Sequence, residues 1–209
     1  MRIKKPEIFL KRIKSNARDR YDNEKNIFEK LGNGSDYVIK YYGEENSQNG
    51  QFLKIEYCDG DLSKLKRVFN YAHKTIPEKI VRIIVIQIFT GLKYIYDKNI
   101  IHDDIKLANI GVKLSNCSFE NNFSNNLKFS ELDENNSINY LKYLEEIEKE
   151  FIEGKAKCKI IDFDLSKEII VTDITFLVNF ELKFIYEDTY NIGKIMYYLL
   201  TLNEENFDK

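Results

Sequence analysis

The stretch IIHDDIKLANIGV, Ile100 to Val112, decides how this chain is read. Its ends are apolar, and its middle holds His102, Asp103, Asp104, Lys106 and Asn109. A buried strand does not readily take unpaired charge, because removing a carboxylate from water is expensive. Charge gathered between two apolar anchors therefore points to a loop with chemistry to perform.

A further acid joins it from far along the chain. Asp104 lies five residues before Asn109, and Asp162 ends the apolar run of KCKIIDF. One carboxylate can orient a hydroxyl and accept its proton. An asparagine and a second carboxylate can hold magnesium, which takes a few protein oxygens alongside substrate phosphate. Phosphoryl transfer asks for this combination of positioning, metal and charge stabilisation.

Composition sets the bounds. The chain has 209 residues, 43% hydrophobic and 32% charged, enough for one domain with a real core or a compact two-lobed domain. A net charge of −2 creates no field that calls for nucleic acid or a membrane. Residues 1–20 depart from this, with eight basic residues against Glu7 and Asp19. They form either a solvated face or a polyanion-binding patch. Cys58, Cys117 and Cys158 are an odd number without metal spacing, which points to a reducing intracellular compartment, cytoplasmic or nuclear, and no disulfide frame. No signal peptide is visible. The most apolar run, IVRIIVIQIFTGL, is interrupted by Arg82 and Gln87 and is too short to span a bilayer.

The pattern predicts a helix over RDRYDNEKNIFEKLGNG that ends at a glycine, with Ile27, Phe28 and Leu31 on one face. Two β segments follow, YVIKYYGEE and GQFLKIEYCDG, with NSQNG as their turn. A long helix over 77–97, with Pro77 in its first turn, is apolar around most of its circumference. Residues 115–137 hold seven Asn and five Ser, a polar low-complexity stretch. An amphipathic helix over 137–153 carries Tyr140, Leu144, Ile147 and Phe151 on one stripe and stops at Gly154. KCKII is a short buried strand, and EDTYNIGKIMYYLLTL is a final helix.

HDDIKLAN resembles the catalytic loop H-R-D-x-K-x-x-N of protein kinases, and IIDFDLSK resembles their metal-binding D-F-G segment. NEKNIFEKLGNGSDYVIKYYG is similar to the kinase helix C and the strand after it. FLKIEYCDGDLSKL is similar to the strand and hinge that grip adenine, and DTYNIG to the helix start that anchors the catalytic loop. The resemblance covers roughly residues 20–114 and 157–200. It implies an α+β, bilobal kinase-like fold with a reduced N-terminal lobe over 1–57. The hinge and a truncated, mostly helical C-terminal lobe follow over 58–209, with an insertion at 115–156. It also implies ATP and magnesium as cofactors and protein as substrate. Asp104 becomes the base, Lys106 lies near the transferred phosphate, and Asn109 and Asp162 hold the metal. Ile55 is the gatekeeper, Glu56 to Cys58 are hinge backbone, and Asp188 is the anchoring acid. The ion-pairing glutamate is Glu24. MRIKK resembles the V-A-I-K-K strand, making Lys4 its partner; Lys4 is otherwise one lysine of a basic N-terminus.

The departures from the pattern also carry expectations. No glycine-rich loop precedes MRIKK, and no A-P-E motif lies between Asp162 and Asp188. Asp103 replaces an arginine that pairs with phosphate in many kinases, and an acid there would repel that phosphate. Asp164 replaces the glycine of D-F-G and stiffens that point. His102 is expected to be structural and Asp103 locally paired. Lys106 resembles Ser/Thr protein kinases. The insertion and short activation segment resemble haspin-like kinases, which phosphorylate histone, while an Asn-, Lys- and Ile-rich composition fits a divergent kinase of an AT-rich genome. A nucleotide-binding pseudokinase and a small-molecule kinase of the same fold stay open. A short C-terminal lobe is expected to leave Ile83, Ile84, Ile88, Ile195, Met196 and Leu199 partly bare, so that the chain self-associates, needs a partner or is a fragment of a longer gene product.

Overall fold

The computed structural model describes residues 7–12, 18–48, 50–116, 134–169 and 174–202, with residues 18 and 174–185 in backbone only. Its upper part is one antiparallel sheet of order β1-β3-β2, formed by β1 (Ile8–Arg12), β2 (Tyr41–Ser47) and β3 (Gly50–Glu56). The register sets Phe9 opposite Ile55 and Lys11 opposite Leu53. Helix α1 (Arg18–Leu31) packs its apolar stripe inward, burying Glu24, Ile27, Phe28 and Leu31 at helical spacing. Phe28 stacks on Tyr41 of β2 with ring centroids 5.2 Å apart.

The lower part is mostly helical. A two-residue strand β4 (Gly60–Asp61) leads into α2 (Leu62–Tyr71), whose N-cap Asp61 accepts the backbone N–H of Lys64 at 2.8 Å. This helix carries no sequence expectation of its own, because it follows directly on the segment GQFLKIEYCDG. Helix α3 (Glu78–Tyr96) is the central element, with Ile80, Ile84, Ile88, Leu92 and Ile95 all buried. Gly91 lets it lie hard against the chain at Tyr37, since a Cβ there would sit 2.7 Å from the Tyr37 carbonyl oxygen. Gln87, which interrupts the apolar run, bonds to the strand beneath: it accepts the N–H of Cys158 at 2.6 Å and donates to Ala156 O at 3.2 Å.

Two small sheets frame the charged loop. Strand β5 (Ile100–Ile101) pairs with β8 (Lys167–Glu168), and β6 (Ile110–Lys113) lies between β4 and β7 (Lys157–Ile160). The two apolar anchors of the opening stretch are thus β5 and β6, and the charged residues occupy the connection between them.

Helix α4 spans Glu134–Ile152, starting three residues before the expected boundary, and buries the predicted stripe Tyr140, Leu144, Ile147 and Phe151. It packs on α3. The low-complexity residues 117–133 lie outside the described residues. Helix α5 runs over Ile174–Leu200, well before the expected start, because residues 174–187 hold no Pro or Gly to stop a helix.

The expectation of a bare patch fails for the residues on which it was based. Ile84, Ile88, Ile195 and Leu199 are buried, and Ile83 and Met196 pack against the core. The exposed apolar groups near them are instead Ile86, Phe89, Tyr190 and Tyr197. No described helix is long and apolar enough to cross a membrane.

Candidate active site

A cavity of about 290 Å³ lies between the upper sheet and the lower part, lined by Phe9, its cross-strand neighbour Ile55, Glu56, Cys58 and Asp61, and by a polar end of Lys11, Asn109 and Asp162, which the Lys11–Asp162 bond and the Ile161 N–H to Asn109 O bond bring together. At the polar end Lys11 donates to both oxygens of Glu24, at 2.7 and 2.8 Å, and to Asp162 Oδ1 at 2.6 Å. This corrects the sequence expectation. Lys4 lies outside the described residues, and the lysine that meets Glu24 is Lys11, thirteen residues before it. Eight basic residues crowd positions 1–20, so lysine alone could not single it out. The apolar Ile-Phe-Leu before Lys11 was the usable signal, because it marks a strand.

Burial pushes the Glu24 carboxyl up, against the pull of Lys11. Burial likewise opposes charge on Lys11, but Glu24 and Asp162 outweigh it and raise its pKa. We take the pair as ionised, because Lys11 spans both Glu24 oxygens and the Phe163 N–H adds a bond to Glu24 at 3.2 Å.

The loop after β5 is held by its own side chains. Asn109 donates to the Asp104 backbone oxygen at 2.9 Å and to Asp104 Oδ2 at 2.7 Å. Lys106 donates to the same carboxylate at 2.7 Å, and that bond raises the Lys106 pKa. His102 is fully buried and bonds through Nε2 to Ile161 O at 2.9 Å. Burial lowers its pKa, so it stays neutral. Its ring lies 5.0 Å from that of Phe163, which lies 5.4 Å from Phe28. With Tyr41 on Phe28, one aromatic column joins the upper sheet to the charged loop.

Asp103 and Asp162 both have positive φ, +62° and +66°. Non-glycine residues there cost about 1–3 kcal/mol and persist where their surroundings hold them. Asp162 is held by Lys11, and Asp103 by Lys167 of β8. The residues after Asp162 are tied on both sides. Asn23 of α1 donates to Ser166 O at 2.9 Å, Ser166 Oγ donates to His102 O at 3.2 Å, and Arg20 lies 3.6 Å from Asp164.

At the end of β3 Glu56 turns its carboxylate away from bulk water, to Lys113 at 2.5 Å and Lys159 at 3.0 Å. Burial opposes its ionisation, and those lysines outweigh burial and lower its pKa. Burial pushes the Cys58 thiol up to about 12, so it remains protonated and unreactive. Asp188 of α5 is buried and accepts the Tyr96 hydroxyl; burial raises its pKa to about 6. Among the described residues no cluster of three or more His, Cys, Asp or Glu could hold a metal ion.

The protein kinase domain family matches residues 3–178 of the chain. Among curated relatives, a serine/threonine-protein kinase of Dictyostelium discoideum, pakH, is 35% identical over 108 residues, 52% of this chain and 20% of that protein. The meiosis-specific serine/threonine-protein kinase mek1 of Schizosaccharomyces pombe is 40% identical over 92 residues, 43% of this chain and 19% of that protein. The MAP kinase kinase kinase wis4 of the same yeast is 35% identical over 94 residues, 44% of this chain and 6% of its own length. The chain thus spans a fifth or less of these relatives. The family match runs from ahead of the Lys11 strand to beyond the Asp162 segment and so takes in both ends of the cavity: the chain belongs to the protein kinase domain family.

Proposed function

We propose that the chain is an ATP-dependent protein serine/threonine kinase. One observation carries the proposal: Asn109, bonded to Asp104, and Asp162, bonded to Lys11, line the same end of one cavity. Kinase chemistry needs a carboxylate that orients a hydroxyl beside groups that hold a triphosphate, and this pairing meets that need. The names of the relatives support serine or threonine as acceptor, as does a lysine bonded to the loop carboxylate.

The donor chemistry fits magnesium. Asn109 uses its amide nitrogen on Asp104, which leaves the amide oxygen for a cation, and Asp162 supplies a carboxylate at the same end of the cavity. Magnesium commonly takes one or two protein carboxylates together with phosphate oxygens, so no larger cluster is required. Bound there, it would neutralise charge on the nucleotide phosphates. Asp104 orients the acceptor hydroxyl and takes its proton, with Asn109 fixing the carboxylate. Lys106 offsets negative charge beside the transferred phosphoryl group, and Lys11, oriented by Glu24, binds the nucleotide phosphates. The hinge backbone over Glu56 to Cys58 receives the base.

The test is transfer of label from γ-labelled ATP, with magnesium, to acidic and basic protein acceptors, histone among them. Label is expected on serine or threonine, with the rate falling at least ~10²-fold in Asp104→Ala, the contribution of a positioned base. Equal rates in the variant and the parent chain would remove Asp104 from this role. A parent chain that binds ATP without transferring phosphate would leave a binding module.

A further inference from the structure

The charged loop walls a second cavity besides the one proposed to hold nucleotide. It measures about 390 Å³ and lies between residues 103–108 and α5. Ala108 lines both cavities. Asn109 lines the first and Asp104 the second, and the 2.7 Å bond between their side chains joins the two across the loop. A hydroxyl oriented by Asp104 therefore enters from the second cavity, and the residues beside that hydroxyl must fit there too. Opposite the loop stand Asn191, Lys194, Ile195 and Tyr198, which recur at helical spacing and form one face of α5.

Among the described residues the charged lining of this cavity is Asp103, Asp104, Lys106 and Lys194. Each acid has a lysine of its own. Asp104 accepts from Lys106 at 2.7 Å, and Asp103 from Lys167 of β8. Lys194 has no acidic partner among the described residues. Its Nζ lies instead 4.6 Å from the ring centroid of Tyr190, one turn earlier on α5. A helix lysine ordinarily carries its charge out into water. This one is half-buried and laid over an aromatic ring beside the cavity. With both carboxylates matched, the charge left over is positive and belongs to Lys194. We propose that Lys194 is a specificity residue for the acceptor. It selects protein segments that carry an anionic side chain, a carboxylate or a phosphate, beside the serine or threonine that Asp104 orients. The inference rests on the kinase reading above and adds to it the chemical class of the acceptor.

The test gives the chain magnesium, γ-labelled ATP and serine peptides that differ at one flanking position, taken in turn, which carries Glu, phosphoserine, Ala or Lys. At one such position the parent chain is expected to favour the Glu peptide over the Lys peptide about tenfold in kcat/KM, the scale of a charge-assisted contact. The difference should lie in KM rather than kcat, because Lys194 meets the flanking group and not the hydroxyl. In Lys194→Glu the order should reverse, and in Lys194→Ala the two peptides should come level. Each variant is ranked against itself, so a general loss of activity does not disturb the order, and thermal melts check that each folds. Phosphoserine above Glu in the parent chain identifies phosphate as the preferred anion, and Glu above phosphoserine a carboxylate. The same order of Glu, Ala and Lys peptides in the parent chain and in Lys194→Glu would overturn the inference and leave the kinase reading standing. A parent chain that labels neither these peptides nor any protein acceptor would remove the kinase reading, and this inference with it.

Discussion

The upper sheet and the lower helical part meet at one cavity but hold their contributions in different ways. Below, Asp104 and Asn109 sit on a connection between β5 and β6, next to a core in which α3 is buried by β7, α4 and α5. Above, Lys11 sits on β1, an edge strand whose Ile8, Phe9 and Leu10 are all exposed. Its side chain is fixed mainly by ions, Glu24 and Asp162, rather than by packing. The side proposed to bind the acceptor is therefore built into the core, and the side proposed to bind nucleotide is assembled by charge on a strand of lower local stability.

Damage to the lower part should act on the whole fold. Gly91→Ala puts a Cβ 2.7 Å from the Tyr37 backbone oxygen, where the neighbour cannot yield as a side chain would. Overpacking of this kind costs about 1–3 kcal/mol, roughly 2–4 °C of melting temperature per kcal/mol in a domain this size. A calorimetric melt checks it, and an unchanged melting temperature would show that α3 can shift freely against the chain at Tyr37.

Damage to the upper part should act on the ligand instead. Lys11→Met leaves the strand register intact and removes the cation between Glu24 and Asp162. ATP affinity is expected to drop about tenfold or more, the scale of a lost charge-assisted contact. The melting temperature should move less than in Gly91→Ala, because Lys11 and Asp162 are each about a third or more exposed and the buried Glu24 carboxyl, pushed up by burial, can take up a proton once its cation is gone. A larger stability loss in Lys11→Met than in Gly91→Ala would reverse the comparison.

Acid should separate the two parts more weakly. His102 is buried neutral with its pKa lowered, so the unfolded chain takes up its proton first. Stability is therefore expected to fall as pH drops below about 6.5, the ordinary histidine value. Asp188 acts oppositely. Its pKa is raised to about 6, so its contribution is full below the ordinary aspartate value and is lost as pH rises through 6. In His102→Phe the acid loss should shrink while the Asp188 trend remains. A variant that loses stability below pH 6.5 as steeply as the parent chain would remove His102 as the cause.

The same contrast explains what was legible in the sequence. HDDIKLAN and the Asp-Phe after KCKII carry their meaning in residue types at fixed local spacing, and both ends of that connection are strands that the apolar pattern marks. The helix that carries Glu24 was legible from the stripe Ile27, Phe28 and Leu31, and Glu24 itself came from the resemblance of that segment to the kinase helix C. Lys11 was legible only as far as its strand, which Ile-Phe-Leu marks; that this lysine meets Glu24 is set by the long-range register of β1 on β3. The start of α5 was missed because a helix without a breaker has no local signal for where it begins. The cover that α4 gives α3 was legible as a stripe, but which surface it would meet was not.

The most direct test of a site assembled by charge on its upper side is a calorimetric titration of the parent chain and Asp162→Asn with ATP, with magnesium and then with chelator. Weak binding that requires magnesium is expected in the parent, reduced further in Asp162→Asn, because the carboxylate proposed to hold the cation and position Lys11 is then gone. Tight binding by the parent chain in chelator, unchanged in Asp162→Asn, would contradict the account.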